Sequence, residues 1–247
     1  MKHALSLSLC LLAALAGTAQ GQSVSYTSFA TADTFVSSGQ PAVNFGAQGA
    51  VEIAAPNATQ PRTLLSLTRF NATALRDAFD ADFGAGNWTV TDASVTLFSN
   101  FATAGRQPNN ASFNLIAAGN FDFGLLGNNT WGESTLTWNT LPDFLPGAGS
   151  TNTLDSLGTF FWPATGASSS TWNLNAAPLG NAILAGGDLT LFGQPSAGSS
   201  VSYLFNTVGT ANPPRLNVTA SAVPEPTALA LLPAGLLAGR LLRRRQP

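Results

Sequence analysis

Between residues 22 and 222 the chain is a succession of short β-favouring runs broken by Gly, Asn, Pro and Ser, and this spacing limits it to a fold of many short strands. The runs cover residues 34–37, 51–54, 63–70, 94–99, 112–117, 135–138, 189–192, 202–206 and 215–219. The expected class is all-β, a single antiparallel sandwich without a second domain. Residues 63–70 are too apolar for strict alternation, which suits a central strand covered on both faces. Residues 94–98 alternate, with Val95 and Leu97 on one side.

One helix is expected. Asn71 can cap a turn that carries Leu75 and Phe79, four residues apart and so on one face, and Gly84 would end it. Elsewhere no long 3.6-residue periodicity competes. The Gly- and Asn-rich stretch 119–129 and the stretch 164–170 read as surface loops.

The same segment is chemically poor. The chain's single His (His3), Cys (Cys10) and Lys (Lys2) all precede residue 22, so no Ser–His or Cys–His pair, His zinc site or disulfide can be assembled after it. Arg62, Arg69, Arg76, Arg106 and Arg215 face eleven carboxylates, a formal charge of −6. Nucleic acid is a poor partner for a domain without a basic stripe.

Both ends of the chain read as addresses. Lys2, the apolar stretch 4–16 and the small residues Gly17, Ala19 and Gly21 have the layout of a secretory signal, with cleavage expected after Ala19 or Gly21. At the other end Pro224-Glu225-Pro226 precedes an apolar run, 227–242, interrupted by Pro233 and followed by Arg243-Arg244-Arg245. That run falls short of the ~20 residues of a comfortable span, and the arginines would hold it on the cytoplasmic side.

This tail resembles the PEP-CTERM sorting signal of Gram-negative bacteria. The resemblance implies an exosortase-type transpeptidase as processing partner, transient anchoring of a short C-terminal helix in the inner membrane, then release to the cell surface or matrix. The expected organisation is a signal peptide at 1–21, a β-sandwich domain at 22–222 and the sorting signal at 223–247.

A second resemblance covers most of the domain. Asp33-Thr34-Phe35-Val36, Asn44-Phe45-Gly46 and Arg62-Thr63-Leu64-Leu65, then Trp131-Gly132-Glu133 through Trp138 and Pro142, and finally Tyr203-Leu204-Phe205 and Pro214-Arg215-Leu216, occur in the order of the DNRLRE domain motifs. The sequence departs from that pattern at Asn71, where Asp is usual, and in the long stretch 72–86. The resemblance implies a jelly-roll-like sandwich, related to non-catalytic carbohydrate-binding modules, whose signature residues here are Asp33, Asn44, Gly46, Arg62, Trp131, Glu133, Trp138 and Arg215.

The expectation is an exported, non-catalytic surface or matrix protein with polysaccharide as candidate ligand. The alternatives are a ligand-free structural spacer and a glycosidase or lyase working with paired carboxylates. Sugar stacking would fall to Trp88, Trp131, Trp138, Trp162 or Trp172. Trp131 and Trp138, seven residues apart in an extended segment, would point to opposite faces, and Glu133 is expected to hydrogen-bond a turn. An acid and base would come from Asp77, Asp80, Asp82, Asp122, Glu133 and Asp143. No cofactor is expected, although Asp80 and Asp82, or Asp33 and Asn44, offer oxygen ligands to a structural calcium ion.

Overall fold

The structure, a computed structural model, describes residues 22–58, 60–99, 117–162 and 169–223. The expected signal peptide at 1–21, the expected sorting residues Pro224, Glu225, Pro226, Arg243, Arg244 and Arg245, the expected C-terminal anchor and Arg106 lie outside them. Among the described residues no helix is long and apolar enough to cross a membrane.

The protein is mostly β, built from two antiparallel sheets. One sheet has four strands in the order β1 (Ser23–Phe29), β11 (Arg215–Ala222), β5 (Trp88–Phe98) and β8 (Ser169–Asn173). The other runs β10 (Ser202–Phe205), β3 (Val51–Ala54), β4 (Leu64–Asn71), β9 (Asp188–Pro195), β6 (Gly119–Leu126) and β7 (Leu154–Trp162). Its seventh strand, β2 (Ala32–Ser37), lies along β4 from Leu64 to Arg69, while β3 meets β4 only where Ala54 faces Leu64. The sheets touch at one corner, where Ser99 bridges Phe205 of β10.

Seven of the expected runs coincide with strands β2, β3, β4, β5, β9, β10 and β11. The run at 112–117 falls outside the described residues except for Ala117, which bridges Ser202. The run at 135–138 is not a strand. The Thr135 and Leu136 amides both donate to the Gly132 carbonyl at 3.1 and 2.9 Å, and Thr137 and Thr140 exchange hydroxyl and amide bonds, so local turns replace the ladder. Residues 119–126, expected to be a loop, form β6, and β1, β7 and β8 are further strands.

As expected for residues 63–70, β4 is covered on both faces, and it separates two cores. Leu64 and Phe70 belong to the cluster between the sheets, together with Phe35, Ile53, Val95, Phe121, Tyr203 and Val218. Leu65 and Leu67 point the other way, into a second cluster with Val36, Trp131, Leu136, Leu141 and Phe192. The segment between β6 and β7, which includes a single 3-10 turn at Leu141–Asp143, supplies the far side of that second core.

Helix α1 (Ala72–Phe83) starts where Asn71 Oδ1 accepts the Ala74 amide at 2.9 Å and ends at Gly84. Leu75 and Phe79 are buried on its sheet side, so the long stretch 72–86 is a packing element and its exit turn. Helix α2 (Ala176–Ala185) was hidden by Pro178 and Gly180, yet Leu179 and Ile183 sit four apart and fully buried. Pro178 falls in the first turn, where its missing N–H costs no intrahelical bond.

Candidate functional site

Five of the eight signature residues come together along the free edge of β2. Asn44 Nδ2 donates to the carbonyls of Glu133 and Leu136 at 2.8 and 2.7 Å, and its Oδ1 accepts the Gly46 amide at 3.1 Å. Glu133 Oε1 accepts the Asp33 amide at 3.4 Å, so its side chain bonds the strand β2 and not the turn it was expected to hold. A Cβ on Gly46 would overlap the Glu133 carbonyl oxygen, which makes glycine obligatory where the two turns meet. Trp131 lies under the same segment, 1 % exposed, its indole N–H donating to Thr190 Oγ1 at 2.9 Å. Arg69 stacks on its ring at 4.1 Å, donates to the Trp131 and Asn129 carbonyls, and pairs with Asp188 at 3.7 Å.

These contacts make a clasp. They fasten two loops to β2 and β4 and engage most of the polar groups of Asn44, Glu133 and Trp131. Trp138 packs against the same outer cluster as Trp131, so the expectation of opposite faces is corrected: the segment turns instead of running extended. Arg62 has separate contacts, donating to Gln60 Oε1 at 3.3 Å, and Arg215 lies on the four-stranded sheet.

Asp33 is the clasp's one strained electrostatic element. It is 1 % exposed, its Oδ2 accepts the Val208 amide at 2.5 Å, and Oδ1 has no hydrogen-bond partner among the described residues. Burial pushes its carboxyl up to about 7, the Val208 amide opposes the shift and the Glu133 carboxylate adds to it. The unfolded chain ionises this group near 3.8, so the stabilising protonated form is present in full at low pH and is lost as pH rises towards 7. Stability is expected to fall by about 4 kcal/mol between about pH 4 and about pH 7, and Asp33→Asn to flatten that profile in thermal melts. An unchanged slope in the variant would assign the pH dependence to another group.

Three of the tryptophans, Trp88, Trp131 and Trp162, are buried, and Trp138 and Trp172 are half-buried against the cores. Trp88 and Trp162 are buried in the inter-sheet core, where Trp88 N–H donates to Asp80 Oδ1 at 2.6 Å and Trp162 lies tilted by 36° against Tyr203 with centroids 3.9 Å apart. Trp172 packs on the same core and donates to the Phe161 carbonyl at 3.4 Å. The expected stacking platforms are therefore packing residues.

The candidate acids are scattered, and apart from the exposed Asp143 they are held by protein donors. Asp77 pairs with Arg76 at 2.8 Å, and Asp82 accepts the Tyr26 hydroxyl at 2.7 Å. Asp80 accepts the Trp88 indole and the Gly86 amide, which hold its carboxyl below the usual range. Its two partners differ from that of Asp82, so the pair does not converge on a common ion site. Among the described residues no three acidic side chains cluster.

The open grooves contain no facing pair of free carboxylates among the described residues. One of ≈ 380 Å3 between α2 and β5 is lined by Trp88, Asn175 and Asn181 and by no acid. A second, ≈ 360 Å3, at the foot of α2 contains Asp155 and Asp188. By strand register Asp155 is level with Leu125 on the inter-sheet side, Asp188 shares the opposite side with Thr190, and Asp188 is paired with Arg69. The third, ≈ 340 Å3, contains Asp122 alone, held by Thr159 at 2.6 Å and Ser196 at 2.8 Å.

The outer face of the four-stranded sheet has a different character. Alternation sends Val24, Val95, Leu216, Val218 and Ala220 inward and leaves mostly hydroxyl and amide side chains outward, with Asp92 level with Thr219. Cross-strand partners bond to each other, Ser25 to Thr219, Thr27 to Asn217 and Thr96 to Thr171, each at 2.7 Å. At one end of this lattice the Arg215 guanidinium lies 5.5 Å from the Phe29 ring and 4.9 Å from that of Phe98. Phe29 is 51 % exposed, although it ends a strand whose other outward positions are Ser and Thr. The signal for this row in the sequence was the alternation of SVSYTSF against RLNVTASA, which places Phe29 and Arg215 level only once β1 and β11 are known to pair.

No protein-family model matches the chain, and no curated protein matches it.

Proposed function

We propose that the protein is an exported, non-catalytic surface or extracellular-matrix protein, sorted through a PEP-CTERM/exosortase system and holding polysaccharide through its sandwich domain. The observation that carries the reading is the conjunction of the two terminal address segments with where the described chain enters and leaves. Ser23 of β1 faces Ser221 of β11, and the Ala222 amide donates to the Gln22 carbonyl at 3.3 Å. Both address segments therefore attach at one pole, and the sandwich projects from it.

The strand order supports the jelly-roll assignment: β1-β11-β5-β8 faces β4-β9-β6-β7, the alternation of two Greek keys, with β2, β3 and β10 added at one edge. Support for a non-catalytic role comes from a domain without His, Cys or Lys in which Asp77, Asp80, Asp82, Asp122 and Glu133 are engaged by protein donors. A ligand-free spacer is the second reading, favoured by tryptophans that are either buried in a core or half-buried against one.

The test is processing and address. In a Gram-negative host that makes an exosortase, the wild-type chain is expected to reach the surface or medium shortened at its C-terminus. Replacement of Pro224, Glu225 and Pro226 by alanine is expected to leave it uncut in the inner membrane. Equal processing of both chains, read by mass spectrometry of the fractions, would overturn the sorting assignment.

A further inference from the structure

Arg215 is set apart from its neighbours by what it lacks. Arg69 and Arg76 each pair with a carboxylate, whereas Arg215 has no acidic partner among the described residues. Its Nε is buried without a hydrogen-bond partner there, and Nη2 reaches only Asn212 Oδ1 at 3.4 Å. A guanidinium between two phenyl rings keeps its planar fork in a fixed direction, which lowers the entropy lost when it takes a planar anion bidentately.

Around that fork the sheet supplies what a sugar acid needs. Phe29 offers a half-open apolar ring one strand away from Arg215, and Thr96, level with Arg215 on β5, is bonded to Thr171 on β8. Aromatic face, cation and hydroxyls thus lie in one row across four adjacent strands, spaced by the strand separation of about 4.8 Å. A glycan repeat with one carboxylate is the chemistry that uses all three: ring on Phe29, carboxylate on Arg215, hydroxyls on Thr96 and Thr171.

We propose that the row Phe29, Arg215, Thr96 and Thr171 on the four-stranded sheet, with Phe98 beside the Arg215 guanidinium, is a binding site for a carboxylate-bearing polysaccharide. This rests on the reading of the domain as polysaccharide-binding and names the ligand's class and its place. The domain's net negative charge opposes long-range attraction of such a polymer, so binding depends on this local contact instead of on a basic field.

The full-length chain, purified in detergent, is tested against polygalacturonate, its methyl ester and dextran by isothermal titration or affinity electrophoresis. Wild type is expected to bind polygalacturonate and to bind the methyl ester about tenfold more weakly, because esterification removes the charge the fork recognises. Arg215→Gln is expected to lose about tenfold in affinity for the acid form alone, and Arg215→Lys to recover only part of it. Phe29→Ser, at a half-exposed position, is expected to weaken all sugar binding severalfold with its melting temperature nearly unchanged, which separates contact from folding.

If dextran and the ester bind as well as the acid form and Arg215→Gln changes nothing, this site is wrong while the polysaccharide-binding reading stands. If wild type binds none of the three, the site is overturned and the ligand-free spacer takes the place of the polysaccharide reading.

Discussion

Trp131→Ala is expected to lower the stability of the sandwich by about 3–5 kcal/mol, the range for deleting a fully buried tryptophan. The indole fills the centre of the outer core, and its removal also strips Arg69 of the ring it stacks on and Thr190 of its donor. Trp131→Phe keeps most of the volume and loses the N–H bond, so about 1–2 kcal/mol is expected from it. Chemical denaturation of the two variants gives the measurement. A Trp131→Ala protein that melts like wild type but loses glycan binding would make Trp131 a ligand platform, contrary to its burial.

Gly46→Ala is expected to cost about 3 kcal/mol through a different mechanism, overlap of backbone instead of a cavity. The new methyl would collide with the Glu133 carbonyl oxygen and lie 2.8 Å from its carbon, so the turn at Asn44 must lift. Lifting it breaks both Asn44 bonds to the 133–136 turn, which is why Gly46→Ala and Asn44→Ala should be strongly non-additive. Once the turn has lifted, the second substitution has little left to remove. Additive losses in a double-mutant cycle would show that the two residues act independently.

How far the sequence revealed the fold depended on whether each strand kept its own pattern. Strands β2, β3, β4, β9, β10 and β11 carry Val, Leu, Phe, Tyr or Thr in runs that read as strands without knowledge of neighbours. Strand β6 did not, because Gly119, Asn120 and Gly124 look like loop residues. The structure explains Gly124: a Cβ there would sit 2.5 Å from Leu154 Cδ1, so the glycine serves close strand approach and not a turn. Thr135–Trp138 misled in the opposite direction, since threonines favour strands on average but here bond their own turn.

The site was legible only in part for a related reason. The signature positions Asp33, Asn44, Gly46, Trp131 and Glu133 could be picked out along the chain, but their convergence on one edge depends on contacts between residues about ninety to one hundred positions apart. Once assembled they form a structural clasp, and the pair Phe29 and Arg215 lies on two strands, β1 and β11, that are far apart in the chain and come level only by their pairing.

The neighbouring positions of β1 and β11 also decide how the domain bears load. Because the two strands are antiparallel and the described chain enters and leaves at the same end, tension applied between residues 22 and 223 opens their ladder from Ser23 and Ser221 inward, one pair after another. Such a ladder unzips at low force, since no two of its hydrogen bonds share the pull. A pull that enters through β11 against a load spread over the outer sheet face meets a strand bonded to β1 on one side and β5 on the other, and must shear both ladders at once. The domain is thus mechanically weak as a link between its own ends and strong as a tether fixed at its C-terminal strand.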